Sequence, residues 1–263
     1  MRHQWGPSRR WPCVLTGRRL VGGLLLWLCA TVAQAANLSV NPVLITLDAS
    51  DSIAAMTVTN QGEGPVVMQA SVNAWSIRDN QEHYEPTTAL LVNPPVFEVA
   101  PGQRQILRVG LRDTEPKAVE QSFRVFLEQA PATPGDDANT DRGGSQPRGV
   151  QVMLRLGIPV FVAPAAEREP ALQWQAERLA AEQLRIEAVN QGNVHAKVSR
   201  LTLLANEKTV AARDLSSYIL PGSRRHWLLK IPADTTAPYH VQAETNAGML
   251  DTTIASPDLS PSP

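Results

Sequence analysis

The side chains best equipped for chemistry in this sequence stand apart from one another. His3, His83, His195, His226 and His240 are scattered, whereas a zinc site gathers its ligands at short, fixed intervals. Both cysteines, Cys13 and Cys29, fall within the first 35 residues, a segment read below as removed, so neither a disulfide nor a thiolate metal site is expected in the remainder. There is no Gly-x-Ser-x-Gly elbow, no phosphate loop and no His-Glu-x-x-His pair, which lowers the expectation of hydrolase, nucleotide or metalloprotease chemistry. Asp136 and Asp137 come nearest to a calcium loop. The oxygen-ligand spacing of a hand-type loop is missing, so solvated charge is the better account. No catalytic set, metal site or cofactor is expected.

What the spacing favours instead is recognition by a strand. Val150, Val152, Leu154, Leu156 and Ile158 recur at every second position, so an extended chain projects all five from one face. Between them stand Gln151, Met153, Arg155 and Gly157, a half-polar face. Pro159 cannot donate to a ladder, which favours a sheet margin. A long apolar edge is normally blunted; one that is kept suits strand addition, in which a partner pairs its backbone with the edge and takes up the offered side chains. Periodicity alone fits, and more often marks, an ordinary core strand of a β-sandwich.

The elements that must position this row begin after a leader. Arg9, Arg10, Arg18 and Arg19 precede an apolar run from Leu20 to Val32 that is too short to span a bilayer comfortably. Ala33-Gln34-Ala35 then supplies a small-x-small cleavage site, giving a Sec-type signal peptide over residues 1–35 with maturation at about Ala36. The twin arginines hint at the other export route; a retained anchor and a translation start after Met1 are the alternatives. The formal net charge of −1 and the 5% aromatic content give no surface suited to nucleic acid or anionic membrane, and no later run approaches membrane length.

Beyond the leader the pattern is β nearly throughout. Leu38 to Leu47 is extended, Ile53 to Thr59 alternates and stops at the turn Asn60-Gln61-Gly62, and Val66 to Ile77 resumes with Trp75 as a core plug. Val96 to Val99, Gln105 to Leu111 and Phe123 to Gln129 follow, the last with Phe123, Val125 and Leu127 on one side and Arg124, Phe126 and Glu128 on the other. Pro131 to Gly149 is too polar and too rich in Gly and Pro to bury surface, and reads as a mobile loop that covers the edge strand at rest. Pro164 to Pro170 reads as a hinge. A second β set follows: Leu184, Ile186 and Ala188 alternate before the turn Asn190 to Asn193, a phase shift after Val198 predicts a bulge near Ser199, and Leu220-Pro221-Gly222-Ser223 is a further turn. Glu177 to Gln183 reads as a loop, helix being its alternative. Short strands at turn-punctuated spacing indicate sandwiches of immunoglobulin type.

Several of these pieces stand in a specific order: Asn93-Pro94-Pro95-Val96 before Ala100-Pro101-Gly102, the strand from Phe123 to Pro131, the loop, and the alternating strand ending Ile158-Pro159-Val160-Phe161-Val162-Ala163-Pro164. With them, and with Asn190, Leu220 to Ser223, Ala243 to Asn246 and Gly248 further on, essentially the whole mature chain resembles the PapD-like periplasmic pilus (fimbrial) chaperones of the chaperone–usher pathway. The resemblance implies an all-β chain of two immunoglobulin-like sandwiches set at an angle like a boomerang, with a signal peptide at 1–35, an N-terminal domain at 36–164, a C-terminal domain at 165–256 and a tail at 257–263. It implies a periplasmic, non-enzymatic chaperone without a cofactor, whose partners are pilus subunits and an outer-membrane usher. Such chaperones lend the strand after the mobile loop to subunits that lack one strand, and a neighbouring subunit later replaces it. Carried to this chain, Val150, Val152, Leu154, Leu156 and Ile158 become the lent side chains, worth about 7 to 15 kcal/mol together before ordering costs.

One departure matters. Relatives of this kind anchor the subunit's terminal carboxylate with a basic pair, but the corresponding positions are Leu44 and Pro159, which points to the archaic or alternative branch. Arg124 is the first candidate for the anchor, because a guanidinium suits bidentate carboxylate binding, with a surface charge or internal pair as its alternative. Arg108 is the second, with an ion pair to Glu128 as its competing role. Asn246 stands where an acid between the domains is expected. A pilus or surface subunit that itself receives a strand is the alternative function, followed by a sandwich enzyme or metal-binding module; self-association through the exposed edge is left open.

Overall fold

The computed structural model describes residues 38–130, 153–166 and 168–254. The expected leader, the segment Pro131 to Gly149 and the tail lie outside the described residues. All regular structure among those described is β-strand, arranged as two immunoglobulin-like sandwiches.

The first sandwich packs two sheets face to face. One sheet has the order β1 (Leu38–Asn41), β3 (Ile53–Asn60), β8 (Arg104–Leu111), β6 (Leu90–Asn93); the other runs β2 (Ile45–Leu47), β10 (Arg155–Val162), β9 (Gln121–Gln129), β4 (Val66–Arg78), β5 (Gln81–Pro86), with β7 (Val96–Val99) also paired to β4. Alternation decides which side chains meet between them. Met56 and Val58, Leu107 and Val109, and Phe123, Val125 and Leu127 form one buried core. The segment Leu38 to Leu47 is two strands on opposite sheets, so the chain crosses over at Pro42, Val43 and Leu44.

The second sandwich packs β11 (Leu172–Ala180), β12 (Gln183–Asn190) and β15 (Arg224–Lys230) against β14 (Lys208–Ile219), β13 (Ala196–Ala205), β16 (Tyr239–Thr245) and β17 (Gly248–Ile254). Leu184, Ile186 and Ala188 are buried as their alternation predicts. The register slips between Val198 and Arg200, where the phase shift places a bulge. The loop expected at Glu177 to Gln183 is instead the end of β11, a turn and the start of β12. An edge strand can carry charges on its open face: Glu177 pairs with Arg185 across the ladder, and Arg178 donates to the carbonyls of Ala181 and Thr235.

Both sandwiches turn on the same buried asparagine. Asn60 Nδ2 donates to the carbonyls of Gly64 (2.7 Å) and Val99 (2.9 Å), while its Oδ1 accepts from Gly62 N at 2.9 Å. Asn190 does the same with Val194 (2.8 Å), Ile219 (2.9 Å) and Gly192 N (2.9 Å). Each asparagine's backbone also exchanges hydrogen bonds with a Pro-Gly turn, Asn60 with Gly102 and Gln103, Asn190 with Gly222 and Ser223. A fully buried amide is tolerated because its donors and its acceptor are matched.

Trp75 is buried, but not as a plug of the first core. With Ile77 and Phe161 it leaves the outer face of the second sheet and meets Tyr218 and Leu220 of the other sandwich. Its odd-numbered register with Ile77 puts it opposite the core-facing Val72 and Ala74. The linker between the sandwiches explains Gly192: a Cβ there would stand 2.1 Å from the Glu169 carbonyl and 2.5 Å from Ala171 N, so the passing backbone needs a residue without a side chain.

Candidate partner-binding site

The candidate site starts from the two sides of β10. On one side it pairs antiparallel with β9 along its whole length; on the other, β2 reaches it in parallel only at Val160, Phe161 and Val162. Gln129 N donates to Leu154 O at 2.9 Å, and Ala163 N donates to Leu47 O at 2.8 Å. Strand alternation therefore turns the peptide groups of even-numbered residues toward β9 and those of odd-numbered residues outward. Arg155, Gly157 and Pro159 direct theirs to a side with no neighbouring strand among the described residues. The missing N–H of Pro159 falls on that outward side and costs no bond to β9.

The five predicted side chains are not equivalent. Val150 and Val152 lie outside the described residues. Leu154 and Leu156 are half-buried, and Leu156 leans on the first core. Ile158 is only 6% exposed and belongs to that core, as do Val160 and Val162. In this state Ile158 therefore packs within the protein's own interior, while Leu154 and Leu156 are the more open members of the row. The row runs out of the sandwich interior toward its open end. On the opposite face Arg155 crosses the Phe126 ring at 4.1 Å and binds Glu128 at 2.7 Å. Gly157 carries no side chain where Phe126 crosses the strand; a Cβ would meet the ring at 3.1 Å.

Leu44 and Pro159 face each other across the opening. Ile45 pairs with Val160, so the residues just before them are next in register, at the mouth of the open edge. Leu44 is 39% exposed and Val43 70%, so this spot is apolar. Arg124 sits on β9 opposite Pro159, as its strand assignment predicts. Its guanidinium stacks 4.0 Å over Trp75, with Nη1 donating to Gly157 O (3.2 Å) and Nη2 to Glu82 Oε2 (3.3 Å). Its Nε is buried with no acceptor among the described residues. Arg108 is exposed on β8, in the other sheet. Glu128 takes Arg155 as its partner, not Arg108. Asn246 Oδ1 accepts from Lys197 N at 2.7 Å and Asn246 N donates back to Lys197 O at 3.1 Å, closing the end of the β13–β16 ladder instead of supplying an acid between sandwiches.

Acid is supplied there by a residue that sequence reasoning missed. Glu82 accepts from Arg124 on its own sandwich, from Arg225 on the other at 3.1 Å, and from the Tyr84 hydroxyl. Burial, and then the bond to Glu82, push the Tyr84 phenol up to about 12. His195 also bridges the two sandwiches: its ring stacks on Phe161 at 3.7 Å and its Nδ1 lies 2.9 Å from both Glu120 oxygens. Arg225 lies 143 positions from Glu82, and His195 75 from Glu120, so no local pattern could announce either pair. Among the described residues no group of three or more His, Cys, Asp or Glu is placed to hold a metal ion.

Residues 37–167, from just before β1 to just beyond β10, match the family model described as pili and flagellar-assembly chaperone, PapD N-terminal domain. The chain belongs to this chaperone family. The family works in the periplasm. Among solved structures, the fold of this chaperone is similar to that in the CsuC–CsuE chaperone–tip adhesion subunit pre-assembly complex from the archaic chaperone–usher Csu pili of Acinetobacter baumannii, at 19% identity and TM-score 0.61, covering 84% of this chain and 99% of that one. It is likewise similar to the Escherichia coli chaperone DraB (21% identity, TM-score 0.54, 84% and 97% covered). A third similar structure is that of Salmonella enterica SafA pilin with the SafB chaperone (16% identity, TM-score 0.54, 84% and 98% covered). No curated protein matches the chain by sequence.

Proposed function

We propose that this chaperone works in the periplasm after removal of residues 1–35, and that its sandwiches, residues 36–164 and 165–256, hold a pilus subunit lacking one strand by lending the edge of β10, then release it to an outer-membrane usher. The observation that carries the proposal is the uncovered side of Arg155 to Pro159, beside a row of apolar side chains that leaves the core at Leu156 and continues through Leu154. A subunit strand laid there gains outward peptide partners from the odd-numbered residues and apolar fill from the even-numbered ones. Val150 and Val152 extend that fill, and Ile158 roots the strand in the chaperone. The complexes of CsuC with a tip adhesion subunit and of SafB with a pilin support the partner class, and the apolar Leu44–Pro159 corner supports the archaic or alternative branch. Arg124 remains the first candidate for a terminal carboxylate, because it approaches the outward Gly157 carbonyl and has an unmatched Nε. The chemistry is binding, not catalysis.

The test is co-expression with the neighbouring secreted subunit. Leu154→Asp should abolish recovery of the complex and leave the chaperone folded, since a charge would have to enter the partner's interior. Arg124→Ala should weaken capture about tenfold, the size of one lost hydrogen bond to a charged group. Normal recovery with Leu154→Asp would remove the assignment.

A further inference from the structure

The hairpin between β4 and β5 turns at Asp79 and Asn80, both with positive φ (51° and 64°), the two-residue geometry that matches the twist of paired strands. Its tip does not end in solvent. Asn80 Oδ1 accepts from His226 N at 3.0 Å and Asn80 Nδ2 donates to His226 O at 3.2 Å. That is the pairing a strand's peptide group would make, and His226 lies on β15, the outer strand of its sheet. One side-chain amide of the first sandwich thus stands in for a neighbouring strand of the second.

Arg225, next along β15, completes the junction. It donates to Asn80 O (2.5 Å), Glu82 Oε1 (3.1 Å) and Tyr218 O (3.2 Å), with its side chain only 11% exposed. Glu82 then carries the connection to Arg124, and Arg124 to the outward carbonyl of Gly157 on β10. An unbroken series of hydrogen bonds therefore runs from the second sandwich to the open edge of the first.

We propose that Asn80 and Arg225 are positioning residues. They latch the β4–β5 hairpin onto β15, fix how the two sandwiches face each other, and through Glu82 hold Arg124 on the edge strand in the geometry that captures a subunit. Capture itself rests on the function proposed above; the latch does not.

The test uses Asn80→Gly, which keeps the left-handed backbone available and removes only the amide, beside Asn80→Asp, which keeps the shape and loses one donor, and Arg225→Met. Spin labels at Glu98→Cys and Lys208→Cys, exposed on different sandwiches, report the distance between them. The unaltered pair should give one narrow distance distribution. Asn80→Gly and Arg225→Met should broaden it at least about twofold, Asn80→Asp should fall between, and melting should drop by no more than about 4 °C. Subunit capture should weaken in the same order. An unbroadened distribution in Asn80→Gly overturns the latch, and broadening with undiminished capture overturns the positioning role. Failure of the unaltered chaperone to capture any subunit would instead count against the function proposed above, and is read separately.

Discussion

The last two strands of each sandwich are corresponding parts built in opposite ways. In the second, β16 and β17 are joined by a tight turn and pair from Tyr239↔Ile254 to Thr245↔Gly248; Thr245 ties the turn through its hydroxyl to Gly248 O at 2.7 Å. In the first, β9 and β10 pair from Arg155↔Glu128 to Val162↔Gln121, but Gln129 and Arg155 are separated by a long connection, and the open side of β10 is covered only at its end, by three residues of β2. The outer positions of β17 carry Asp251 and Thr253, whose partners are Gln242 and His240 of β16. Both domains share the buried asparagine corner and the Pro-Gly turn, so the scaffold is common. What differs is whether the final strand stops where its own core stops. Among the described residues, the apolar side of β10 runs from the buried Ile158 through the half-buried Leu156 and on to Leu154.

The largest expected effect breaks this contrast at its strongest point. Leu154→Asp and Leu156→Asp should each abolish subunit recovery, whereas Leu250→Asp on β17, which leans on the second core, should lower the melting temperature and spare capture by the molecules that remain folded. Loss of capture in all three with equal loss of fold would mean that β10 is an ordinary core strand.

The shared scaffold gives the next pair. Asn60→Ala leaves one backbone donor and two carbonyls without their partner, and Asn190→Ala two donors, Gly192 N and Ala171 N, and two carbonyls, so each should cost about 1–3 kcal/mol in denaturant unfolding. The loss should be somewhat larger for Asn190→Ala, which also releases the linker N–H of Ala171; a clearly larger loss for Asn60→Ala would contradict this. Gly192→Ala drives a methyl group into the linker carbonyl of Glu169, while Gly64→Ala in the first sandwich meets nothing within 4 Å. The former should destabilise by about 1–3 kcal/mol, and the latter should be neutral within about 0.5 kcal/mol.

The smallest effect is in pH dependence. The Ser50 hydroxyl, then the backbone N–H groups of Asp51 and Ser50, hold the exposed Asp48 carboxyl down at about 2 from 3.8. Its contribution is complete above 3.8 and disappears as pH falls through 2, because the folded state then loses the charged form that those donors favour. Asp48→Asn should therefore show a small deficit near neutral pH that closes in strong acid; a deficit that persists unchanged to pH 2 would contradict this.

Alternation made most strands legible, together with the bulge beside Ser199 and the neighbour relation of Arg124 to β10. It could not reveal where the sandwich ends along that strand, so Ile158 and Leu154 looked alike although one is interior and the other half-buried. Trp75 was identifiable as buried, but not against which surface, because its partners Tyr218 and Leu220 belong to the other sandwich. The Glu177 to Gln183 segment hid its strand because an edge strand keeps its charges outside. Long-range pairs such as Arg225–Asn80 arise only once both sandwiches exist.

Amide hydrogen exchange along β10, measured residue by residue with and without a bound subunit, tests the account most directly. Strand lending predicts strong new protection at the outward amides of Arg155 and Gly157 and little change at Leu154 and Leu156, whose peptide groups already face β9. A complex that forms while Arg155 and Gly157 exchange as fast as in the free chaperone would contradict it.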